Sequence, residues 1–375
     1  MGSLVRPPDL LQAAAVLRDK PQEEKKYLDL LHAKTVEVVK RQAEAGIDVV
    51  NDGEWGKSSW ANYVLDRMTG FEPTPNKLYE AVWLGRDRIR FSEFMEAEFP
   101  RGAKGVPGHT CTGPIQYKGY DSIRRNIRDV KAALNGANVM EGFLTAVAPA
   151  STGYDAENEF YSTEHDYVFA LAEALREEYL EIYNAGLVLQ IDDAVLANMY
   201  DELAQDDPKR YYEWAELRVA ALNHALRGIP QNRIRYHICF GSWHVPHVAD
   251  APLEAIAGLM LKVHAGAYSI EAANVRHEHE WHVWEKVRLP QDKILIPGVV
   301  THHTTTVEHP RLVANRLIQF ANVIGRENVI GGTDCGFAQL EGIQRVHPQV
   351  MWAKLETLAE GARIASKELW GHRDL

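Results

Sequence analysis

Two cysteines and a histidine stand at spacings that could hold a metal ion. His237 and Cys239 form a His-x-Cys pair in the apolar run Ile234–Phe240, where residues two apart point to the same face of a strand. Glu271 ends the next strand-like run, and Cys335 follows the last one within the segment GGTDCG. Two thiolates, one imidazole and one carboxylate suit tetrahedral zinc, a borderline-soft ion. The sequence therefore predicts a zinc site formed by these four residues.

The chemistry that such a site supports is thiol activation. A free thiol has a pKa of about 8.5 and is mostly protonated at neutral pH, whereas zinc deprotonates a coordinated thiol. Glu271 is the ligand that an incoming sulfur could displace. Transfer of a methyl or alkyl group to that sulfur also needs an acid for the leaving group. The adjacent His302 and His303, after another strand-like run, are the candidates.

The chain alternates short β-rich runs with longer amphipathic stretches, and these elements must bring the candidate residues together. The runs that predict strands are Ile47–Asn51, Phe143–Pro149, Leu187–Asp192, Ile234–Phe240, Ala267–Glu271, Ile294–Val300 and Val329–Thr333. Gly2–Leu4 and Cys111–Ile115 bring the candidates to one more than a (β/α)8 barrel needs, so one is accessory. Near-continuous apolar strands separated by helices indicate a parallel sheet covered by helices. The chain has no nucleotide-type glycine fingerprint after an early strand, which favours an α/β TIM barrel over an open sheet.

Carboxylates, imidazoles and thiols occupy the predicted strand ends, where the active sites of such barrels form. Besides the four predicted ligands, these residues are Asp52, Glu54, Asp192, Asp193, His302, His303 and Asp334. Two other histidine-rich stretches have simpler interpretations. The stretch Arg276–His282 (RHEHEWH) predicts a charged first helical turn, and SWHVPH, with His244 and His247, lines a pocket mouth or forms a loop.

Composition limits the class of protein. The chain has 375 residues, of which 46% are hydrophobic and 25% charged, and its formal net charge of −11 argues against a nucleic-acid partner. No apolar run is long enough to cross a bilayer, and the N-terminus has no apolar signal core. The cysteines are an odd, widely spaced set of three, Cys111, Cys239 and Cys335. That set argues against a disulfide framework and favours a reducing, cytoplasmic location.

One domain over residues 1–375 accounts for this pattern, with one exception. Residues 70–126 carry mixed charge and fit the alternation of strands and helices poorly, so they are predicted to form a long excursion. Long loops in compact domains are often functional. A hairpin or lid, a disordered segment and a contact between identical chains are the alternatives, and the sequence leaves a homo-oligomer open.

The residues around the predicted metal ligands resemble a known family. The segments YHICFGSW, SIEAANVRHEHEW and GTDCG are similar to the catalytic barrel of cobalamin-independent methionine synthase and its single-barrel relatives. The similarity extends to the N-terminal GSL, the DGE of residues 52–54 and the QID of residues 190–192. It implies a (β/α)8 barrel of the kind shared with uroporphyrinogen decarboxylase, in a zinc-dependent methyltransferase.

The resemblance also implies roles for individual residues. The four predicted ligands match the zinc ligands of the family. Ser3 matches a residue that contacts the carboxylate of homocysteine. Glu54 and Asp192 match the acids that hold its ammonium group, so Asp192 is also a candidate catalytic residue. His303 occupies the place of a family histidine and is implied to be a proton donor.

Three departures from the family pattern bear on these roles. The full-length enzyme of the family has two barrels, and this chain has room for one. The family's QIDEP is QIDDA here, which changes the surroundings of Asp192. Where the family has TGPVT followed by a tryptophan that stacks on the pterin, Thr145–Ser151 reads TAVAPAS without an aromatic residue. A folate donor would therefore need Trp55, Trp60 or Trp243 as a substitute platform.

Three functions follow from the sequence. Methylation of homocysteine is favoured by the three predicted amino-acid contacts. Opening of an epoxide by the thiolate of coenzyme M, as in epoxyalkane:coenzyme M transferases, is the second, and its sulfonate would need a cation such as Lys57, Arg67 or Arg276. A non-catalytic protein that binds zinc or a thiol is the third.

Overall fold

Runs rich in valine, isoleucine and leucine form the parallel strands that the alternating pattern predicts. The computed structural model describes residues 2–78, 85–98, 107–152, 154, 156–204, 207–242 and 244–371. The strands in these residues are β1 (Val49–Val50), β2 (Phe71–Leu78), β3 (Pro107–Cys111), β4 (Glu141–Val147), β5 (Ala156–Asn158), β6 (Val188–Asp192), β7 (Ile234–His237), β8 (Ala267–Ile270), β9 (Ile294–Val300) and β10 (Gly332–Thr333). The α-helices are α1 (Pro8–Asp19), α2 (Glu24–Glu44), α3 (Gly85–Arg90), α4 (Ser92–Glu98), α5 (Tyr120–Leu134), α6 (Pro149–Thr152), α7 (Glu164–Asn184), α8 (Ala194–Leu203), α9 (Pro208–Ala225), α10 (Leu253–Met260), α11 (Pro310–Ile324) and α12 (Pro348–Trp370).

Seven of these strands form one sheet in the order β1-β4-β6-β7-β8-β9-β10. Every neighbouring pair is parallel. The order in space follows the order in the chain, and helices cover the connections between strands, as in a (β/α)8 barrel. The predicted α/β TIM-barrel class is confirmed.

The N-terminal segment Gly2–Leu4 lies between the first and last strands of the sheet. The amide of Leu4 donates to the carbonyl of Gly53, just past β1, at 3.0 Å. The amide of Phe337, just past β10, donates to the carbonyl of Ser3 at 2.8 Å. The segment therefore links the two ends of the sheet without forming a regular strand, and it fixes Ser3 at the carboxyl end of the barrel.

The accessory strand candidate belongs to a separate small sheet. Cys111 ends β3, which pairs antiparallel with β2 and parallel with β5. The piece predicted as Cys111–Ile115 is therefore the accessory one. The antiparallel β2–β3 pair, α3 and α4 all lie within residues 70–126, the predicted excursion. Residues 79–84 and 99–106 of that excursion lie outside the described residues.

The strand predicted at Ile234–Phe240 is shorter than expected: β7 ends at His237. The amide of Phe240 donates to a carboxylate oxygen of Glu271 at 3.0 Å instead of continuing the ladder. The next residue is a glycine with φ of 93°, a conformation that residues with a Cβ rarely adopt. Cys239 therefore lies in a turn that follows β7.

Polar side chains at the strand ends begin several helices. The Thr163 hydroxyl accepts a hydrogen bond from the amide of Asp166 at 3.0 Å at the start of α7. Asp193 accepts one from the amide of Leu196 at 3.4 Å at the start of α8. Proline is the first residue of α9, α11 and α12, where its missing N–H costs no helical bond. The second aspartate of QIDDA is thus a helix cap.

Helix α7 shows how a long helix buries one face. In α7 the buried positions include Val168, Leu171, Leu175, Tyr179 and Ile182, which recur every three or four residues. The hydroxyl of Tyr179 donates to a carbonyl of β4 at 2.6 Å, so a fully buried ring also keeps its polar end satisfied. Among the described residues, no helix has both the length and the apolarity that crossing a bilayer requires.

At Gly298, strand β9 lies in close contact with the segment that follows β10. A Cβ at this position would lie 2.5 Å from the Cα atom of Asp334, which belongs to the backbone and cannot rotate away. Gly298→Ala should therefore lower the free energy of unfolding by about 1–3 kcal/mol. Urea titration followed by circular dichroism measures the change.

Gly258→Ala is the matched control for that measurement. Gly258 lies in α10, and no described atom lies within 4 Å of an added Cβ. Because alanine is the better helix former, this variant should gain up to about 1 kcal/mol. Equal effects of the two substitutions would contradict a tight contact at Gly298.

Candidate metal centre and adjoining cavities

The predicted ligands His237, Cys239 and Cys335 converge at the carboxyl end of the barrel. His237 is the last residue of β7, Cys239 lies two positions later, and Cys335 follows β10 by two positions. One ligand atom of each lies within 4.8 Å of the other two, and all three side chains are buried. We call these three residues the ligand trio.

The ring nitrogens of His237 lack ordinary partners. Both are buried, and neither bonds a nitrogen or oxygen atom of any described residue. Leaving a buried polar group unpaired costs about 1–3 kcal/mol. A cation that also faced the two thiols would supply the missing partner. One imidazole and two thiols form a donor set that fits a borderline-soft transition metal.

The two thiols differ in protonation. A hydrogen bond from Cys239 holds the pKa of Cys335 well below its usual value, and the His237 imidazole acts in the same direction against the effect of burial. The same shared proton raises the pKa of Cys239 well above its usual value. The thiolate is the form that binds metals, so this arrangement favours the metal-binding form of Cys335.

Glu271, the fourth predicted ligand, lies next to the trio but is engaged elsewhere. One of its oxygens lies within 4.8 Å of a ring nitrogen of His302 and of a ring nitrogen of His303. One carboxylate oxygen accepts from the amide of Phe240 at 3.0 Å, and the other accepts from the side chain of Asn274 at 2.7 Å. Burial raises the pKa of the Glu271 carboxyl. The ligand trio therefore forms one possible metal-binding group, and Glu271 belongs to a neighbouring group with His302 and His303.

The two adjacent histidines after β9 have different surroundings. His302 is fully buried, and its Nε2 lies 3.0 Å from the hydroxyl of Ser242. Burial lowers the pKa of His302 to about 4. Burial and the neighbouring imidazole of His302 also hold the pKa of His303 far below its usual value. Both rings are therefore neutral at pH 7.

A small cavity opens beside the ligand trio. It encloses about 70 Å³, and its lining includes the trio together with the predicted substrate residues Ser3, Glu54 and Asp192. At about 10–15 Å³ for each water molecule, it has room for about five to seven waters. That is the size of a small amino acid or a short thiol.

Glu54 is held in this small cavity by a strained backbone. Its φ is 60°, a left-handed conformation that is uncommon outside glycine and asparagine, and such strain concentrates at functional sites. The Thr145 hydroxyl donates to its carboxylate at 2.5 Å, and the Lys57 ammonium lies 4.0 Å away. An added Cβ at Gly2 would lie 2.6 Å from the same carboxylate. The Thr145 hydroxyl, the Lys57 ammonium and the backbone of Gly2 therefore surround this carboxylate.

Asp192 faces the same cavity from the end of β6. The side chain of Gln190 donates to one of its oxygens at 2.9 Å. Burial raises the pKa of Asp192 to about 7, and the nearby Glu54 acts in the same direction. A cationic ligand in the cavity would favour the ionised form.

Ser3 reaches the cavity because the chain after Cys335 leaves room for it. A Cβ at Gly336 would overlap the Ser3 hydroxyl, and it would lie 3.1 Å from the Ser3 amide nitrogen. The final glycine of GTDCG therefore lets the N-terminal segment pack directly beside the trio.

Arg345 also lines the small cavity, and the sequence patterns did not single it out. Its Nε donates to the side chain of Gln339 at 3.0 Å, and its amide bonds the carbonyl of Phe337 at 3.0 Å. Burial lowers the pKa of Arg345, and the thiolate of Cys335 counteracts that effect. Arg345 lies in an irregular loop without a recognisable motif. Its position soon after Cys335 is the sequence feature that could have identified it as a candidate site residue.

The three cations that the sequence offered for a sulfonate do not line the small cavity. The Lys57 ammonium is buried and donates to the carbonyl and hydroxyl of Thr145, at 2.7 Å each. Arg67 pairs with the buried carboxylate of Glu178 at 2.9 Å. Arg276 lines a different cavity.

Of the tryptophans predicted as ring platforms, Trp60 lines the small cavity. Trp55 lies in the core and donates its Nε1 to the carbonyl of Leu4 at 3.1 Å. Trp243 lies outside the described residues. The segment Thr145–Ser151 ends β4 and begins α6, and it is buried throughout.

A large cavity of about 510 Å³ adjoins the metal centre. The loops after β7, β8 and β9 line it, including His244, His247, Glu271, Asn274, Arg276 and His303. The ligand trio lines the small cavity, whereas Glu271 lines the large one. The predicted metal centre therefore lies in the wall between the two cavities.

The stretch Arg276–His282 contributes no metal group within the described ranges. Most of it belongs to the 3-10 helix Glu278–Glu285, near the helical turn that the sequence predicts. His277 is buried between two carboxylates, with Asp250 at 3.1 Å and Glu280 at 2.7 Å.

Known proteins resemble this chain over most of its length. Residues 138–354 match the model of a family described as the catalytic domain of cobalamin-independent synthase. The chain is 23% identical to a methionine synthase of Thermococcus kodakarensis over 372 residues, 98% of this chain and 93% of that one. It is 22% identical to a methionine synthase of Sulfolobus acidocaldarius over 372 residues, 98% of this chain and 92% of that one.

A solved structure agrees with the barrel architecture. The B12-independent methionine synthase of Shewanella sp. W3-18-1, in complex with selenomethionine, matches with a TM-score of 0.71 at 19% identity, over 92% of this chain and 90% of that chain. The family match spans more than half of the chain and contains the segments YHICFGSW, SIEAANVRHEHEW and GTDCG. The resemblance predicted from those segments is confirmed, and the chain belongs to the family of cobalamin-independent synthase catalytic domains.

Proposed function

We propose that this protein is a zinc-dependent transferase that methylates the thiol of homocysteine to give methionine. The observation that carries the proposal is the ligand trio in the wall of a cavity that also contains Ser3, Glu54 and Asp192. The small cavity has the volume of an amino acid of that size. The curated relatives are methionine synthases, which supports the same assignment.

Zinc is the proposed metal because imidazole, thiolate and carboxylate ligands form the tetrahedral sets that it favours. Bound zinc supplies a positive charge that lowers the pKa of a substrate thiol, so that the thiol becomes a nucleophilic thiolate at neutral pH. Glu271 is the exchangeable fourth ligand in this proposal. Its hydrogen bonds to Phe240 and Asn274 stabilise the carboxylate when it is turned away from the trio.

The residues of the small cavity suit the two charged groups of an amino acid. Glu54 and Asp192 present carboxylates to an ammonium group, which explains why two acids lie buried side by side. Ser3 offers a hydroxyl to the substrate carboxylate, and Arg345 offers a positive charge. Ionic hydrogen bonds of this kind contribute about 1.5–3 kcal/mol each.

A proton for the leaving group would come from the large cavity. His303 lines that cavity, whereas His302 is fully buried and bonded to Ser242. We therefore assign His302 to holding the turn after β7, and His303 to the donor side of the metal centre.

Alkyl transfer to coenzyme M is the second candidate function. The observation that favours it is Arg345, because a guanidinium beside the ligand trio suits a sulfonate as well as a carboxylate. A non-catalytic zinc- or thiol-binding protein is the remaining alternative. It predicts thiol binding without formation of a thioether.

The metal proposal predicts the effect of removing one sulfur. Cys239→Ser and Cys335→Ser should each lower bound zinc to less than about a tenth of the wild-type content and abolish thioether formation, because hydroxyl groups are poor zinc ligands. Metal analysis after gel filtration and an assay of thioether formation measure the two effects.

Cys111→Ser is the matched control, because Cys111 is also a buried cysteine but lies in β3, outside the ligand trio. This variant should keep its zinc. Full zinc content and full turnover in both trio variants would contradict the assignment.

If the substrate is homocysteine, substitution of one acid should distinguish it from coenzyme M in a binding assay. Glu54→Gln should weaken homocysteine binding by at least about tenfold, since it removes an ionic bond to the ammonium group. It should not weaken binding of coenzyme M, which has no ammonium group. Calorimetric titration of the zinc-loaded protein with each thiol gives both affinities.

Glu44→Gln, on the exposed side of α2, is the control for that titration. Binding of coenzyme M alone by the wild-type protein would replace the homocysteine assignment with the second candidate. Equal losses for both thiols in Glu54→Gln would point to a general disturbance of the cavity.

A further inference from the structure

The large cavity contains a histidine that the proposed mechanism has not used. His247 lies in the loop after β7 and lines this cavity together with His303, with the two ring centroids 5.4 Å apart. The two histidines come from different loops. The wall that carries Glu271 separates this cavity from the one in which the substrate thiol would lie.

The orientation of His247 is fixed by a carboxylate. Its Nδ1 lies 3.0 and 3.1 Å from the two oxygens of Asp250, three residues later in the same loop. Hydrogen bonds from His247 and His277 lower the pKa of Asp250 although burial acts against them. An ionised carboxylate at Nδ1 holds the ring and stabilises its protonated form.

The backbone of His247 is strained to reach this position. Its φ is 55°, and among the described non-glycine residues Glu54 alone shares a positive φ. The left-handed region is uncommon outside glycine, although histidine adopts it more often than most residues do. Strain of this kind persists where the surroundings impose it, and it clusters at functional sites. Glu54 lies in the small cavity and His247 in the large one.

Asp250 is itself part of a longer buried network. Its Oδ2 also lies 3.1 Å from Nε2 of His277, whose Nδ1 lies 2.7 Å from Glu280. Burial lowers the pKa of His277, but the bonds to these two carboxylates outweigh it and raise the pKa to about 10. A chain of hydrogen-bonded side chains therefore runs from His247 through Asp250 and His277 to Glu280.

Other charged groups around His247 come from neighbouring elements. Asp87 of α3 accepts a hydrogen bond from the amide of Val248 at 2.9 Å, and Arg276 donates to the carbonyl of the same residue at 3.3 Å. His244, His303 and Glu271 also line this cavity. The loop is thus anchored at the residue that follows His247.

We propose that His247 is the catalytic acid that protonates the leaving group, and that Asp250 is its positioning residue. This inference rests on the proposed thiol alkylation. The donor is then a molecule whose transferred carbon is bonded to nitrogen or oxygen, such as an N-methyl amine or an epoxide. Such leaving groups need a proton, and the large cavity has about seven times the volume of the small one.

The proposed step balances in atoms and charge. The substrate thiolate forms a sulfur–carbon bond while the bond from that carbon to nitrogen or oxygen breaks. The departing atom keeps the electron pair of the broken bond and takes the proton from His247. The proton that the next thiol releases on becoming a thiolate restores the imidazolium.

The test compares donors that need a proton with one that does not. The zinc-loaded protein is given homocysteine with 5-methyltetrahydrofolate, with 1,2-epoxypropane or with iodomethane, whose iodide leaves without protonation. Thioether formation is measured for the wild type, His247→Asn, His247→Gly and Asp250→Asn. Asparagine and glycine both tolerate the left-handed backbone, so these variants keep the loop conformation. His264→Asn, at an exposed histidine before β8, is the control.

A proton donor contributes about 100-fold or more to a rate. In His247→Asn the rate with a proton-requiring donor, divided by the rate with iodomethane, should therefore fall by about 100-fold. Asp250→Asn should lower the same ratio by about tenfold. Free imidazole should restore the ratio in His247→Gly and should have no effect on His264→Asn.

Other outcomes overturn the inference in distinguishable ways. An unchanged ratio in His247→Asn, or no recovery of His247→Gly with imidazole, would assign the His247–Asp250 pair to holding the loop. Wild-type turnover of iodomethane but of neither proton-requiring donor would remove the acid role and leave thiol activation intact. An iodomethane rate that is independent of Cys239 and Cys335 would instead remove the proposed function.

Discussion

The buried imidazole of His237 is the constraint on which the arrangement of the barrel end depends. Its place is fixed by the sheet, where it pairs in register with Asp192 of β6 and Ser269 of β8, so it cannot turn toward water. Both ring nitrogens lack nitrogen or oxygen partners among the described residues. The two thiols that face it come from the turn after β7 and from the segment after β10. An ion that bound all three would therefore stabilise the fold as well as the site, because its binding free energy adds to folding.

The same burial explains the charges around the metal centre. Glu54 and Asp192 lie close together with little solvent, and burial raises the pKa of Asp192 to about 7. Two buried acids beside a thiolate are an unfavourable arrangement unless positive charge enters the cavity. The ammonium of Lys57 supplies part of it, at 4.0 Å from Glu54. A divalent metal and the ammonium of an amino acid would supply the rest, so metal and substrate should each favour binding of the other.

The convergence of the three candidate ligands could be predicted from the sequence because strand ends in a parallel barrel meet at the same end whatever the loops do. His237, Cys239 and Cys335 needed no more than that rule and a correct reading of the strands. Details that depend on contacts between residues far apart in the sequence could not be predicted. The amide of Phe240 bonds to Glu271, which ends β7 early and turns that carboxylate away from the trio. The position of Arg345 and the closure of the sheet by Gly2–Leu4 depend on the same kind of long-range packing.

The division of the barrel end into two cavities accounts for the strongest departure from the family pattern. After β4, where the family has a pterin platform, the chain enters α6, and the hydroxyl of Ser151 donates to the helix cap Asp193 at 2.9 Å. That region is closed and buried, so it offers a flat ring no surface. Space opens instead between the loops after β7, β8 and β9, on the Glu271 side of the metal centre. A donor bound there would approach the thiolate across the position that Glu271 vacates, with His247 and His303 beside its leaving group. Under the proposed function, the lost platform and the histidine-lined cavity would both place the donor at the loops after β7, β8 and β9 instead of at the end of β4.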